Sequence, residues 1–305
     1  MNFKNWDYVG KRKIFFTISA ILQAIGIIAV LVFGFNLGVD FQSGTRLDIV
    51  VGKPVTEQEI QAELQTLKLE PGSIELGGDQ NERAAVRFTE ALTAEQVTSV
   101  KNVMVEKYGS QVDIQESTVD PMISRELVRN AIYAVAWSSL GMIIYMTIRF
   151  EYRFAITGVL ALLHDAFAVI AVFSILQIEV DLTFIAAILT IVGYSINDTI
   201  VTFDRIRENL NKYKIKKMED LEHVVNVSIQ ETIVRSINTV ITVLFASVAL
   251  LIFGGESIRN FALALTVGLL FGMYSSIFIA SQLWLDWKGR DLFKKPITST
   301  NNEAS

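Results

Sequence analysis

Six apolar stretches, each close to 20 residues long, dominate this 305-residue chain. A helix rises 1.5 Å per residue, so each run suffices to cross a hydrocarbon core of roughly 30 Å. With 51% hydrophobic residues the chain is too apolar for an ordinary soluble domain. It reads as a multispanning α-helical membrane protein. The absence of cysteine excludes disulfides, thiolate catalysis and cysteine–metal sites, and two histidines are too few for a His-based metal centre.

In chain order, Lys4, Lys11, Arg12 and Lys13 precede a first run from Ile14 to Phe35. That run exceeds the h-region of a cleaved signal, so residues 1–35 read as an N-terminus and an uncleaved first span. Residues 36–127 turn soluble in character. Between Asn36 and Glu126 there are 16 Asp and Glu against 8 Lys and Arg, which sets this stretch apart as an acidic domain. Arg46–Val51 alternates as a half-buried strand does. Thr56-Glu57-Gln58-Glu59 is a capping box opening a helix with Ile60, Leu64 and Leu67 on one face. Strands are predicted at Ser73–Leu76 and Ala84–Phe88 around a Gly77–Asn81 turn, then a helix from Thr93 to Gly109 and a strand over Val112–Thr118. The order βαββαβ predicts a small ferredoxin-like module, a fold too widely reused to name a function.

Residues 128–287 hold the other five spans, at 128–148, 154–176, 182–203, 233–253 and 261–284. Residues 204–232 are read as a loop containing an amphipathic helix, 218–232, lying on the membrane. Trp284 and Trp287 are expected in an interfacial aromatic belt. The tail, 288–305, is expected to be disordered. The basic segments fall with both termini, and the acidic domain with Gln177–Asp181 on the opposite side, so the positive-inside rule places both termini in the cytoplasm.

The fourth span carries Asp198 inside apolar sequence. A charge there costs roughly 2.5–3.5 kcal/mol on insertion scales, so it calls for a partner or a task. Arg235 opens span five, and Arg235, Asn238, Thr239 and Thr242 share one helical face. Tyr194, Asp198 and Thr202 form a facing stripe, with Asn197 alongside and Ser236 next to Arg235. The expected constellation is an Asp198–Arg235 pair held by amides and hydroxyls. Burial favours the neutral acid and the cation its carboxylate, so the pair is either a proton site or a static bridge between spans. His164 and Asp165 in span three either extend a relay or bind neighbouring helices. Ala264, Gly268, Gly272 and Ser276 recur every four residues, a small-residue ladder for close helix packing within this chain or with a partner.

GYSINDTIVTFDRIREN, residues 193–209, closely resembles the signature of the SecF branch of the SecD/SecF family of protein-export membrane subunits, in the RND superfamily. GVDFQSGT after span one, the His164-Asp165 pair and SIQETIVRSINT into span five resemble further family elements, with Ser43 standing where the family usually has glycine. The resemblance implies an RND-type half of six helices with the ferredoxin-like domain between the first two, in the bacterial cytoplasmic membrane. It implies an auxiliary of the Sec translocase driven by the proton-motive force, without metal, nucleotide or organic cofactor; with no nucleophile, base and oxyanion arrangement visible in the sequence, the chain is not read as an enzyme. The implied partners are a separate SecD chain, the SecYEG channel with SecA on the same pathway, translocating preproteins and membrane lipids, and not nucleic acid. Carried over by position, Asp198 and Arg235 match the proton pathway, and Asn197, Ser236 and Thr239 its polar neighbours. The competing readings are a small-molecule or lipid transporter of RND type and a scaffold that stabilises the translocon without transporting.

Overall fold

The computed structural model describes residues 6–78 and 80–293. The expected tail beyond 293 and Asp79 of the expected turn lie outside them. Among the described residues two compact units emerge: a helical one (6–35, 135–178 and 183–293) and an α+β one (36–134 and 179–182).

The α+β unit opens with a single helical turn, α2 (Val39–Gln42), following the first long helix, α1 (Arg12–Phe33). Next come β1 (Gly44–Val50), α3 (Glu57–Thr66), β2 (Ser73–Gly77), β3 (Arg83–Phe88), α4 (Ala94–Tyr108) and β4 (Asp113–Val119). The sheet order is β2-β3-β1-β4 with every neighbour antiparallel, the arrangement a βαββαβ chain adopts when each helical crossover skips one strand. Both helices start on complete capping boxes, Thr56 with Glu59 and Thr93 with Gln96. Leu47 and Ile49 of β1 face a core completed by Ile60, Leu64, Val86, Phe88, Val100 and Met104.

The opposite face of the sheet does something the sequence did not disclose. Glu179, in the connection between two later helices, is buried against it. Arg46 of β1 and Arg87 of β3 both bind its carboxylate, Arg87 at 3.1 Å, and Arg46 also reaches Asp48 at 2.8 Å. Backbone bonds Gly38 N–H to Val180 O and Val180 N–H to Asn36 O tie residues 36–38 to the same connection. Glu179–Leu182 is therefore an integral part of this unit, where only a short acidic turn over Gln177–Asp181 was expected. At β1's entrance Ser43 adopts φ +65°, ψ 174°, and Gly44 φ +112°. A Cβ on Gly44 would meet Phe88 O at 2.1 Å, so that position admits only glycine.

The other helices are α5 (Pro121–Arg149), α6 (Tyr152–Leu176), α7 (Leu182–Lys212), α8 (Met218–Phe253) and α9 (Glu256–Ser275), and with α1 they make up the helical unit, α5 from Val135 and α7 from Thr183 onward. α9 continues through a π-helical segment, Ser276–Ala280, into α10 (Ser281–Phe293). Six helical stretches are long and apolar enough to cross a membrane, the last being Ser257–Leu292. α6, α7 and the α9–α10 helix are the most buried, whereas α1, α5 and α8 leave most of their apolar surface exposed.

Two expectations fail here. The stretch 218–232 does not lie on the membrane; α8 runs unbroken for 36 residues, since nothing in it is a Gly or Pro. Its apolar stripe, Leu221, Val224, Val225 and Ile229, is fully buried, and Leu221, Val225 and Ile229 share a core with Phe203, Ile206 and Leu285. An amphipathic stripe fits a protein core as well as a bilayer surface, and here residues of α7 and α10 cover it. Trp284 likewise leaves the expected interfacial belt: it is fully buried, stacked on Phe154 at 4.4 Å between ring centroids with 8° between planes. Trp287 does meet Tyr152 edge-on, at 5.9 Å. Ion pairs Arg149–Asp204, Arg205–Glu231, Arg12–Glu222 and Arg153–Asp291 link the helices at this end.

Candidate functional site

The small-residue ladder sets the geometry of the site. A Cβ on Gly268 would lie 2.3 Å from Ile191 of α7, and one on Gly272 3.2 Å from Ser195. Ser276 bonds Thr199 at 2.8 Å, and Ala264 is fully buried. Small side chains thus let α9 press along α7, and the ladder's partner is within the chain. The close approach delivers hydroxyls of one helix to the polar groups of the other.

Asp198 sits on α7 one turn beyond Ser195 and one residue before buried Thr199. It is half-buried, and its Oδ2 is buried without a hydrogen-bond partner. The hydroxyls of Ser236 on α8 and Ser276 on the π segment lie beside the carboxyl, and the Ser236 hydroxyl is itself buried and unpartnered. Tyr194, Asn197 and Asp198 line a narrow cleft with Thr239, Gly268 and Gly272, with room for roughly one water, about 10 Å³.

The expected pair is not formed. Among the described residues no ion pair joins Asp198 to Arg235, whose charge reaches the acid only as a through-space field. Successive residues on a helix point about 100° apart, so α8 can turn only one of positions 235 and 236 toward α7. It turns Ser236 inward, while Arg235, Asn238 and Thr242 lie on its exposed face and Thr239 at the edge. The polar stripe thus faces out of the bundle. Thr202, expected in the stripe of Tyr194 and Asp198 facing span five, is fully buried and its hydroxyl lacks a partner among the described residues.

His164 and Asp165 join the same seam. Asp165 is only 1% exposed; Ser195 of α7 and Ser275 of α9 both donate to its Oδ2, at 2.6 and 2.7 Å. His164 Nδ1 lies 3.1 Å from Asp165 Oδ1, and its Nε2 is hydrogen-bonded to Ser19 of α1. Tyr274 stacks on the imidazole at 6.2 Å. Ser195 and Ser275 were not anticipated as functional positions. Their only sequence signal is polarity within apolar runs, which reads equally well as packing.

This arrangement can hold protons. It offers one buried and one half-buried carboxyl on adjacent helices, one imidazole, and serine and threonine hydroxyls between them. Among the described residues no cluster of three or more metal-ligating side chains occurs.

The C-terminal family model of the protein-export membrane proteins SecD/SecF matches residues 99–290, and the SecD/SecF GG motif matches residues 28–55. The protein translocase subunit SecDF of Bacillus subtilis is 50% identical over 292 residues, covering 96% of this chain and 39% of that one. The protein translocase subunit SecF of Alicyclobacillus acidocaldarius is 45% identical over 95% of both chains. Among solved structures, SecDF of Thermus thermophilus, described as a translocon-associated membrane protein, superposes with a TM-score of 0.85 at 33% identity over 93% of this chain and 39% of that one. The chain thus spans about two-fifths of the SecDF relatives and nearly all of the SecF one.

Proposed function

Since the chain belongs to the SecD/SecF family of protein-export membrane proteins, we propose that it is a SecF-type subunit that uses the proton-motive force to promote preprotein export. The observation that carries this reading is Asp198: a carboxyl inside a helix long and apolar enough to cross a membrane, with one oxygen buried and, among the described residues, no paired cation. A permanent charge so placed is unfavourable, whereas an acid that gains and loses a proton can couple a gradient to movement. One proton crossing 100 mV releases roughly 2.3 kcal/mol, enough to bias a conformational equilibrium.

In this reading Asp198 takes the proton, Ser236 and Ser276 solvate it, and Arg235 sets the local field from the rim of α8. The exposed polar face of α8, with Arg235, Asn238 and Thr242, suits a neighbouring membrane chain carrying polar groups of its own, and SecD is the partner proposed. SecYEG, SecA and the translocating preprotein complete the pathway. The α+β unit lies outside the cytoplasm and both termini inside, in the bacterial cytoplasmic membrane, and the proton gradient takes the place of a cofactor.

The test is preprotein export in cells whose only copy carries Asp198→Asn, with membrane level and SecD co-purification followed alongside. Export lost from an intact complex is the expected result. Unchanged export would remove Asp198 from the coupling and leave a structural role.

A further inference from the structure

The His164–Asp165 pair meets α7 at Ser195, one helical turn from Asp198, yet nothing in the proposed cycle uses it. Asp165 is almost wholly buried near the middle of α6, and among the described residues no lysine or arginine pairs with it. Its neighbours are two serine hydroxyls and one imidazole. A lone carboxylate in such a place is strongly disfavoured, and hydroxyl donors alone do not supply an opposite charge. The pair can avoid net charge in two ways: Asp165 is protonated beside a neutral imidazole, or His164 is protonated beside a carboxylate. Either way it holds one proton more than the separated carboxylate and neutral imidazole.

The hydrogen bonds suit movement of that proton. Both serines donate to Oδ2, which leaves Oδ1 facing His164 Nδ1 as the atom through which a proton passes. When the proton crosses from Oδ1 to Nδ1, the Oδ1–H bond breaks, the Nδ1–H bond forms, and the charge moves from neutral pair to ion pair with no other reactant. Nε2 carries a hydrogen in both forms of the ring, and the Ser19 hydroxyl accepts it in both. The titratable groups around the pair are Asp198 on α7 and Tyr274 on α9, while α1 presents Ser19 and Gln23. Asp165 and Asp198 act on one another electrostatically, so a charge on one disfavours a charge on the other.

We propose that His164 and Asp165 form a second proton-holding site in the same seam as Asp198. Ser195 on α7 and Ser275 on α9 position its carboxyl, and the seam continues through Ser276 and Thr199 to the neighbourhood of Asp198. The proposal extends the proton-coupled reading of Asp198 and can be separated from it by experiment.

Infrared difference spectra of the full chain in lipid nanodiscs, recorded across a pH titration, report protonated carboxyls by their C=O stretch. The wild type is expected to show two titrating bands. Asp165→Asn should remove one and leave the other, and Asp165→Asn with both bands retained overturns the proposal. Ser275→Ala keeps the carboxyl and removes one donor, so it should shift the C=O frequency of the Asp165 band. Two unshifted bands in that variant overturn the proposal even if Asp165→Asn fails to fold. Asp198→Asn with both bands retained would instead sink the Asp198 reading and leave the second site standing.

Discussion

Asp40 caps the helix that carries Asp198: its Oδ2 accepts the backbone N–H of Leu182, the first residue of α7, at 2.8 Å. The bond satisfies one of four otherwise free donors at that terminus, and a carboxylate there also complements the helix dipole. Asp40 belongs to the GVDFQSGT element after α1, so that element gains a mechanical role. Asp40→Ala should cost about 1 kcal/mol, read as a lower melting temperature of the full chain in detergent, whereas Asp40→Asn should recover most of the loss.

Ser43 occupies backbone that suits glycine, with φ +65° and extended ψ. Non-glycine residues held there cost on the order of 1–3 kcal/mol. Ser43→Gly should therefore raise the melting temperature, by an amount equivalent to about 1 kcal/mol once glycine's extra unfolded-state freedom is subtracted. An unchanged or lower midpoint would show that the Ser43 hydroxyl compensates for its strain.

The contact of α9 with α7 leaves no space at Gly268. Gly268→Ala would drive a methyl into Ile191, which is itself buried, and should destabilise the fold by about 1–3 kcal/mol. Adding Ile191→Ala should return much of that stability. Failure of the double variant to recover would mean the helix backbones, not the side chains, resist the change.

Glu179 sets a pH dependence. Burial pushes its carboxyl above the ordinary value, while Arg46 and then Arg87 pull it back. For an acid raised on folding, the stabilising contribution is full below the unfolded value, about 4.3, and is lost as pH rises through the folded value. Arg46→Gln removes the larger pull and should cost about 3 kcal/mol near neutral pH, with the loss shrinking as the solution is acidified. Chemical denaturation at several pH values measures it, and a loss that did not vary with pH would contradict the assignment.

Elements governed by near neighbours along the chain were legible in the sequence itself. The capping boxes at Thr56 and Thr93 start α3 and α4, and the alternation of Arg46–Val51 gives β1 its inward Leu47 and Ile49. Features governed by distant packing were not. The stripe of Leu221, Val224 and Ile229 has the same period whether it meets lipid or protein. The inward turn of Ser236 in place of Arg235 depends on the rotation of α8, which a stripe of polar residues does not define. Glu179 reads as one acid in a turn because its arginines lie 133 and 92 positions away. At the site, Asp198 stands out by its apolar flanks, but Ser195 and Ser275 gain meaning only from the convergence of their hydroxyls on Asp165.

The π segment at Ser276–Ala280 has a geometric consequence for the longest buried row in the chain. Ala264, Gly268, Gly272, Ser276, Ala280 and Trp284 follow one another at intervals of four and are all buried. On a helix of 3.6 residues per turn such a row precesses by about 40° at each step and soon rotates out of any contact face. A wider turn subtracts rotation, winding the row back toward the contact face. The segment works as a phase corrector, and deleting a single residue from it would swing Trp284 about 100° away from the ring of Phe154.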